Sequence, residues 1–361
     1  MIRGRGAAPT PKLGSDTFVQ ERIYPTLLTV RDARLDRIGL VLGGLPVRDA
    51  VEIAQRAEER GLESVWVYET IGRDAPTSLG AIAFSTRRIL LGTGLLSLFV
   101  RTPTLLPMTY ASLDELSNGR MILGIGVSYE RALRSRHAVP FPERPFTMLR
   151  EYVDVFRGAL AADPFRYEGQ IVSLKGFSLG FKPRRARIPV YLGAHNPKML
   201  ELAGEIADGV VLNLVTEEEI GFFLEHLAIG AKRAGRSLSD IDIASFFNVC
   251  PSGDRALART ELRRRLHWFM VMPHIIARLK RTRFRPEAEK IEGLVKEGRE
   301  REVPEVITDP MIDAMCISEP PDRILARVDA YRSRGIRLPI LFPTPIGGDV
   351  KKGLSATLDL F

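Results

Sequence analysis

The chain has 361 residues, 45% of them hydrophobic, which is enough apolar material for one large core or two ordinary ones and excludes disorder along the whole chain. Lysine and arginine number 52 against 44 acidic residues, so the net charge of +8 suits an anionic partner without identifying one. Two cysteines are too few for a disulfide framework, so we expect a cytoplasmic protein. No apolar run approaches the roughly 18 residues of a transmembrane helix, so no membrane association is expected. No nucleic-acid partner is predicted either.

Strand-like and helix-like segments alternate along most of the chain. Residues 1 to about 34 are punctuated by glycine and proline and are predicted to form an N-terminal extension that is flexible in part. Beyond it, eight short apolar runs are each followed by a segment with helical spacing of apolar residues. The predicted strands are 37–42, 64–68, 89–94, 121–126, 188–192, 210–212, 241–247 and 338–342.

This alternation predicts an α/β fold with a parallel sheet. The fourth run, 121–126, is nearly all apolar, which is typical of a strand that helices cover on both faces. Eight such strands, each followed by a helix, fit a (β/α)8 TIM barrel better than an open doubly wound sheet. Residues 35–361 are therefore interpreted as a single barrel domain.

Two segments interrupt the regular alternation. Residues 165–181 alternate in polarity and contain turn glycines, which predicts a hairpin after the fourth strand. The connection between the seventh and eighth strands, 255–334, is too long for one helix. It is predicted to be a helical insertion that caps the mouth of the barrel.

Several standard catalytic motifs are absent. The sequence contains no GxGxxG, GxxxxGK[ST], HExxH or GxSxG motif, which disfavours Rossmann, P-loop, zincin and α/β-hydrolase chemistry. The five histidines have no ligand spacing that demands a metal, so no metal site is predicted.

The residues that follow the second and third strands are the first candidates, because barrel active sites lie at the carboxyl ends of the strands. Glu69, after strand two, is a candidate general acid or base, or a residue that binds a polar ligand. Alternatively, it pairs with Arg73 in the loop. Gly92 and Gly94, at the end of strand three and just before Leu95, permit close backbone approach to a flat ligand or an unusual dihedral angle; alternatively, they form a simple bulge.

The loops after strands four and five supply further polar groups. Tyr129 and its neighbours after strand four offer a phenol, a hydroxyl and a carboxylate, although Tyr129 could instead cover the top of the barrel. After strand five, residues 193–196 enter a helix at Pro197, so the N–H groups of residues 194–196 could hold a phosphate. Alternatively, Asn196 is a plain N-cap and His195 packs in the loop.

Several strings in this sequence, taken together, resemble the bacterial luciferase-like superfamily. They are Leu113–Arg120, Leu123–Gly126, Ile188–Ala194 and Ala203–Gly209. Within that superfamily the chain resembles the branch that uses the deazaflavin coenzyme F420, near methylenetetrahydromethanopterin reductase. The loop that begins at Glu69 is also similar to that of many deazaflavin oxidoreductases.

The resemblance implies a barrel that binds coenzyme F420 at its carboxyl-terminal mouth, with a hydride passing between the deazaflavin C5 and a small organic substrate. It also implies a cis peptide bond between Gly94 and Leu95 that supports the ring. The net charge of +8 would suit the acidic tail of the coenzyme. The implied cofactor-binding residues are Thr70, Gly94, Leu95, Val127, Ser128, Gly193, Ala194, His195, Asn196 and Asn213. The candidates for handling protons are Glu69 and either Tyr129 or Glu130.

The chain also departs from these relatives. Glu69 and Thr70 stand where the sugar-phosphate dehydrogenase branch has an Asp–His pair, and the first strand lacks the acidic residue of the methanopterin reductase branch. Two alternatives therefore stay open, which are an FMN-dependent monooxygenase and a non-catalytic flavin or deazaflavin-binding barrel. The resemblance further implies a homodimer.

Overall fold

Eight parallel strands close into a barrel in the computed structural model, which describes residues 37–69 and 72–361. Each barrel strand pairs with the next one along the chain, and the last pairs with the first, with Gly39 beside Ile340. This confirms the predicted (β/α)8 barrel, whereas the predicted N-terminal extension lies outside the described residues. The strands are β1 (Gly39–Val41), β2 (Ser64–Val67), β3 (Leu90–Thr93), β4 (Met121–Gly126), β5 (Val190–Gly193), β6 (Gly209–Asn213), β7 (Asp242–Val249) and β8 (Leu338–Pro343).

Helices surround the barrel and extend over its mouth. The first seven are α1 (Val47–Glu59), α2 (Ala75–Ser85), α3 (Leu105–Leu116), α4 (Glu130–His137), α5 (Pro145–Ala161), α6 (Pro197–Ile206) and α7 (Ile220–Arg233). The others are α8 (Arg255–Met270), α9 (Pro273–Leu279), α10 (Arg285–Lys296), α11 (Val303–Val306), α12 (Asp309–Met315), α13 (Pro321–Arg332) and α14 (Val350–Leu358). Across 37–69 and 72–361, no helix is long and apolar enough to cross a membrane.

The apolar core has an inner and an outer layer. Inside the barrel, large side chains fill the lumen, and the rings of Trp66 and Tyr191 lie 5.8 Å apart. Gly92 makes room for this packing, since a Cβ at that position would lie 2.4 Å from the Trp66 ring. The outer layer packs the barrel strands against the surrounding helices. These side chains therefore fill the inside of the barrel.

The predicted hairpin is confirmed between α5 and β5. Its strands, Phe165–Glu168 and Ser173–Phe177, are antiparallel. The buried carboxylate of Glu151 in α5 accepts hydrogen bonds from the N–H groups of residues 170–172 at the hairpin turn. This contact joins the hairpin to the outer wall of the barrel.

The predicted helical insertion between β7 and β8 is also confirmed. The described segment from Arg255 to Arg334 contains α8 to α13 and a short strand, Cys316–Ile317, that pairs with β7. Its helices have an apolar cluster of their own, which includes Leu262, Leu266 and Met311. This cluster packs the helices of the insertion together at one side of the barrel mouth.

Candidate functional site

A cavity of about 400 Å³ opens at the carboxyl-terminal end of the barrel. Of the residues predicted from sequence, those that line it are Glu69, Gly94, Leu95, Ser128, Tyr129, His195 and Asn213. Other lining residues carried no signal in the sequence analysis, and these include Tyr68, Phe246, Arg265, Trp268, Phe269, Met272 and Phe342. Most of the wall is therefore apolar, with polar groups at a few positions.

The bulge at Leu95 forms one face of the cavity. The peptide bond between Gly94 and Leu95 is cis, as the resemblance predicts. The Leu95 side chain occupies space left by three glycines, because a Cβ at Gly124, Gly126 or Gly193 would lie 3.2, 3.2 or 2.2 Å from it. The Glu69 N–H also donates to the Leu95 carbonyl oxygen at 3.2 Å. These contacts fix the position from which Leu95 faces the cavity.

Aromatic rings continue the apolar wall next to this bulge. Phe246 packs against Gly94, where a Cβ would lie 2.8 Å from the ring. The Phe342 ring lies 6.1 Å from Phe246 and 5.5 Å from Tyr68. The three rings and Leu95 together offer a surface suited to a flat ligand. Phe246 and Phe342 lie within strands that the sequence predicted, but nothing in the sequence showed that they face the mouth.

Glu69 is held in an ion pair with Arg101. Its Oε1 accepts from Arg101 Nη1 at 2.5 Å, and its Oε2 accepts from Arg101 Nη2 at 2.9 Å and from the Ala75 N–H at 3.0 Å. The suggested pairing of Glu69 with Arg73 is wrong, since Arg73 instead donates to the Gly44 carbonyl oxygen. Arg101, 32 residues further along the chain, reaches Glu69 because their two loops meet above the barrel. Glu69 therefore ties the bulge to the start of α2.

The loop after β4 divides its polar side chains between the cavity and the surface. Ser128, with a backbone φ of 58°, and Tyr129 line the cavity. Glu130 begins α4, and its exposed carboxylate accepts from Arg134 at 2.8 Å. Val127 packs against the outer core. Of the two proton-handling candidates in this loop, the structure brings Tyr129 to the cavity and not Glu130.

The loop after β5 has both a structural end and a cavity-facing residue. Asn196 Oδ1 accepts from the Met199 N–H at 3.0 Å, which confirms its alternative interpretation as the N-cap of α6. The Ala194 N–H donates to the Val211 carbonyl oxygen, so it is used within the barrel. Gly193 accommodates Leu95, and His195 is the residue of this loop that lines the cavity. Thr70, also predicted to bind the cofactor, lies outside the described residues.

His195 is oriented by a buried arginine from the insertion. Arg278 in α9 donates from Nη1 to His195 Nδ1 at 3.2 Å and to the Asn213 carbonyl oxygen at 2.9 Å, and from Nη2 to the Leu214 carbonyl oxygen. Its Nε forms an ion pair with Glu219 at 2.9 Å. Because His195 Nδ1 accepts, the neutral ring carries its proton on Nε2. Sequence reasoning missed Arg278, since no motif marks it.

Two neighbouring histidines, His195 of the loop after β5 and His274 of α9, are neutral at pH 7. Burial, with neighbouring His274 and Arg278, lowers the pKa of His195 well below its usual 6.5. Burial and Arg278 lower the pKa of His274 to about 4, and the two rings lie 5.2 Å apart. His195 therefore serves as a neutral hydrogen-bond donor and not as an acid that is charged at rest.

These lowered pKa values predict acid sensitivity. The unfolded chain takes up a proton at His274 near pH 6.5, whereas the folded chain does so only near pH 4, so stability falls as the pH drops between these values. We expect His274 to account for about 2 kcal/mol of lost unfolding free energy between pH 7 and pH 5. Urea unfolding at both pH values measures this loss, and His274→Gln should reduce it. An identical pH dependence in the variant would contradict the assignment.

Two buried oxygens in the cavity wall lack partners. Ser97 Oγ and Asn213 Oδ1 have no hydrogen-bond partner in the described part of the chain, and both residues line the cavity. Burying a polar atom without a partner is costly, which favours a ligand that supplies one. A mostly apolar wall with these few polar groups fits a flat cofactor with a polar edge. Over the same described ranges, no three potential metal-ligating side chains converge.

Comparison with known proteins identifies relatives of this chain. The luciferase-like monooxygenase family matches residues 27–338. The 5,10-methylenetetrahydromethanopterin reductase of Methanolobus tindarius is 31% identical over 86% of this chain and 94% of its own length. The F420-dependent glucose-6-phosphate dehydrogenase of Amycolatopsis mediterranei is 28% identical over 80% of this chain and 86% of its own.

A solved structure supports the same assignment of the fold. The coenzyme F420-dependent tetrahydromethanopterin reductase of Methanopyrus kandleri superposes with a TM-score of 0.77 at 26% identity. The match covers 89% of this chain and 97% of that one. The match therefore spans most of both chains.

Proposed function

The chain belongs to the luciferase-like monooxygenase family, and from that premise we propose that it is an oxidoreductase that uses coenzyme F420 to transfer a hydride to or from a small organic molecule. The observation that carries this proposal is the apolar cavity above the Leu95 bulge, with its unpartnered Ser97 and Asn213 oxygens. Relatives of similar length that are F420-dependent support the choice of cofactor.

The residues present fit such a cofactor. Leu95 would support one face of the ring system, and Phe246 would extend that support. Ser97 Oγ, Asn213 Oδ1 and the Nε2–H of His195 would hold its polar groups. When bound, the deazaflavin ring would supply the hydride chemistry. The apolar wall around the bound ring would keep water away from it, which would strengthen hydrogen bonds made there.

Tyr129 is the proposed proton-handling residue. It lines the cavity, whereas Glu130 faces solvent and Glu69 has both carboxylate oxygens bound by Arg101. Glu69 is accordingly proposed to position the bulge and not to transfer a proton.

Replacing Tyr129 by phenylalanine is expected to lower kcat by about tenfold to a hundredfold, because general acid–base catalysis contributes on this scale. The ring and its packing stay, so F420 affinity should change little. The measurement is steady-state turnover beside an F420 titration. Tyr167→Phe removes a phenol from the distant hairpin and is the matched control. Full turnover by Tyr129→Phe would exclude this role.

The cofactor assignment is tested by equilibrium binding of F420 and FMN, oxidised and reduced, at moderate salt that screens non-specific attraction. Selective F420 binding supports the proposal. Selective FMN binding would instead favour the oxygen-dependent monooxygenase, and cofactor binding without turnover over a broad substrate panel would favour a binding barrel. The expected homodimer and the cytoplasmic location stay predictions.

A further inference from the structure

We propose that Arg265 anchors an oxyanion group of the substrate, so that the substrate is a small organic carboxylate or phosphate ester with an apolar body. This inference rests on the proposed function, since it names the substrate class for the same cavity. It concerns a residue of the insertion that the proposed cofactor contacts do not use.

Arg265 differs from the other arginines of its helix. In α8, Arg259 pairs with Asp313, Arg263 with Asp309 and Arg264 with Glu261. Arg265 lines the cavity, and over residues 37–69 and 72–361 no carboxylate lies within ion-pair distance of it. The helix therefore places one cation without a counterion at the cavity wall.

The surroundings of Arg265 orient it but do not neutralise it. Its guanidinium lies 4.1 Å from the centre of the Phe342 ring and 5.5 Å from that of Phe269. Its Nε donates a long hydrogen bond of 3.4 Å to Asn248 Oδ1, and the Tyr68 phenol is another polar neighbour. A guanidinium stacked on aromatic rings keeps its donor edge available for bidentate binding of a carboxylate or phosphate.

The charge balance of the cavity favours an incoming anion. Among its described lining residues, Glu69 is the one carboxylate, and Arg101 already pairs with it. Arg265 is partly buried, and this burial lowers its pKa because a charged guanidinium is poorly solvated there. An anion that enters the cavity would compensate for the solvation that the guanidinium has lost.

Arg265 borders the aromatic surface through Phe342 but lies apart from the polar groups assigned to the cofactor. Its contacts, Asn248 and Phe342, belong to β7 and β8, whereas Asn213 ends β6 and His195 follows β5. The cavity thus has polar groups near β5 and β6 and a partly buried cation, Arg265, near β7 and β8, while Arg136 of α4 adds an exposed cation to its lining. This separation assigns the Arg265 side to the substrate.

The test is isothermal titration of the protein with benzoate, its neutral isostere benzamide, and phenyl phosphate, each with and without saturating F420. We expect benzoate or phenyl phosphate to bind at least about tenfold more tightly than benzamide, as charge-assisted hydrogen bonds are worth this much. Arg265→Gln should abolish the preference. Arg264→Gln, which removes the same charge from an adjacent side chain that is 69% exposed, should retain it.

The outcomes separate this inference from the proposed function. Tighter binding of phenyl phosphate than of benzoate would assign the site to phosphate esters, and the reverse would assign it to carboxylates. Equal binding of benzoate, phenyl phosphate and benzamide by the natural chain would overturn the inference even if F420 binds. A tenfold loss of F420 affinity in Arg265→Gln would also overturn it, because Arg265 would then serve the cofactor. Failure of F420 to bind the natural chain would contradict the proposed function, whereas the anion preference would still be measured without cofactor.

Discussion

Replacing Arg278 by methionine is expected to lower the free energy of unfolding by about 3 to 5 kcal/mol, the usual cost of breaking a buried ion pair. The substitution would leave buried Glu219 without its cation and would remove the donors to His195 Nδ1 and to the carbonyl oxygens of Asn213 and Leu214. Because those groups belong to the loops after β5 and β6, F420 affinity should fall with stability.

Urea unfolding and F420 titration measure the two effects of the Arg278 substitution. Arg278→Lys keeps a positive charge near Glu219 but cannot reproduce the forked contacts, so its loss of stability should be smaller. Arg281→Met, at an exposed position just beyond α9, is the matched control and should cost little. If Arg278→Met were as stable as the Arg281 variant, the ion pair between Arg278 and Glu219 would not stabilise the fold as expected.

Replacing Gly124 by alanine should cost about 3 kcal/mol, at the upper end for overpacking a well-packed core. A Cβ at this position would lie 1.9 Å from the Thr93 carbonyl oxygen, which is backbone and cannot swing aside. Gly124 also exchanges hydrogen bonds with the Thr93 hydroxyl through both its N–H and its carbonyl oxygen. Relief of the clash would displace the end of β3, which directly precedes the Gly94–Leu95 bulge, so F420 binding should weaken as well.

Gly221→Ala provides the control for this glycine. Gly221 lies in α7 with open space around it, and alanine is the better helix former by up to about 1 kcal/mol. The control should therefore be neutral or stabilising in urea unfolding, and it should leave F420 binding unchanged. A Gly124→Ala protein of unchanged stability would show that the contact between β3 and β4 can relax.

The sequence by itself determined the architecture and the location of the site. Apolar runs that alternate with helical spacing are local signals, and a strand buried on both faces, such as 121–126, is recognisable from its residues alone. Once the barrel was predicted, the position of its mouth followed, because parallel strands all end at the same side. Glu69, Leu95, Tyr129 and His195 were found in this way, and the structure brings all four to one cavity.

Only the tertiary structure decided which groups these residues meet. Glu69 pairs with Arg101 and not with Arg73, and His195 accepts from Arg278. Arg265 and Arg278 come from an insertion whose helices carry no catalytic motif. Their roles depend on which arginines form an ion pair with a carboxylate when the insertion packs against the barrel. Such partners are far apart in the chain and are selected by packing, so no local pattern of residues encodes them.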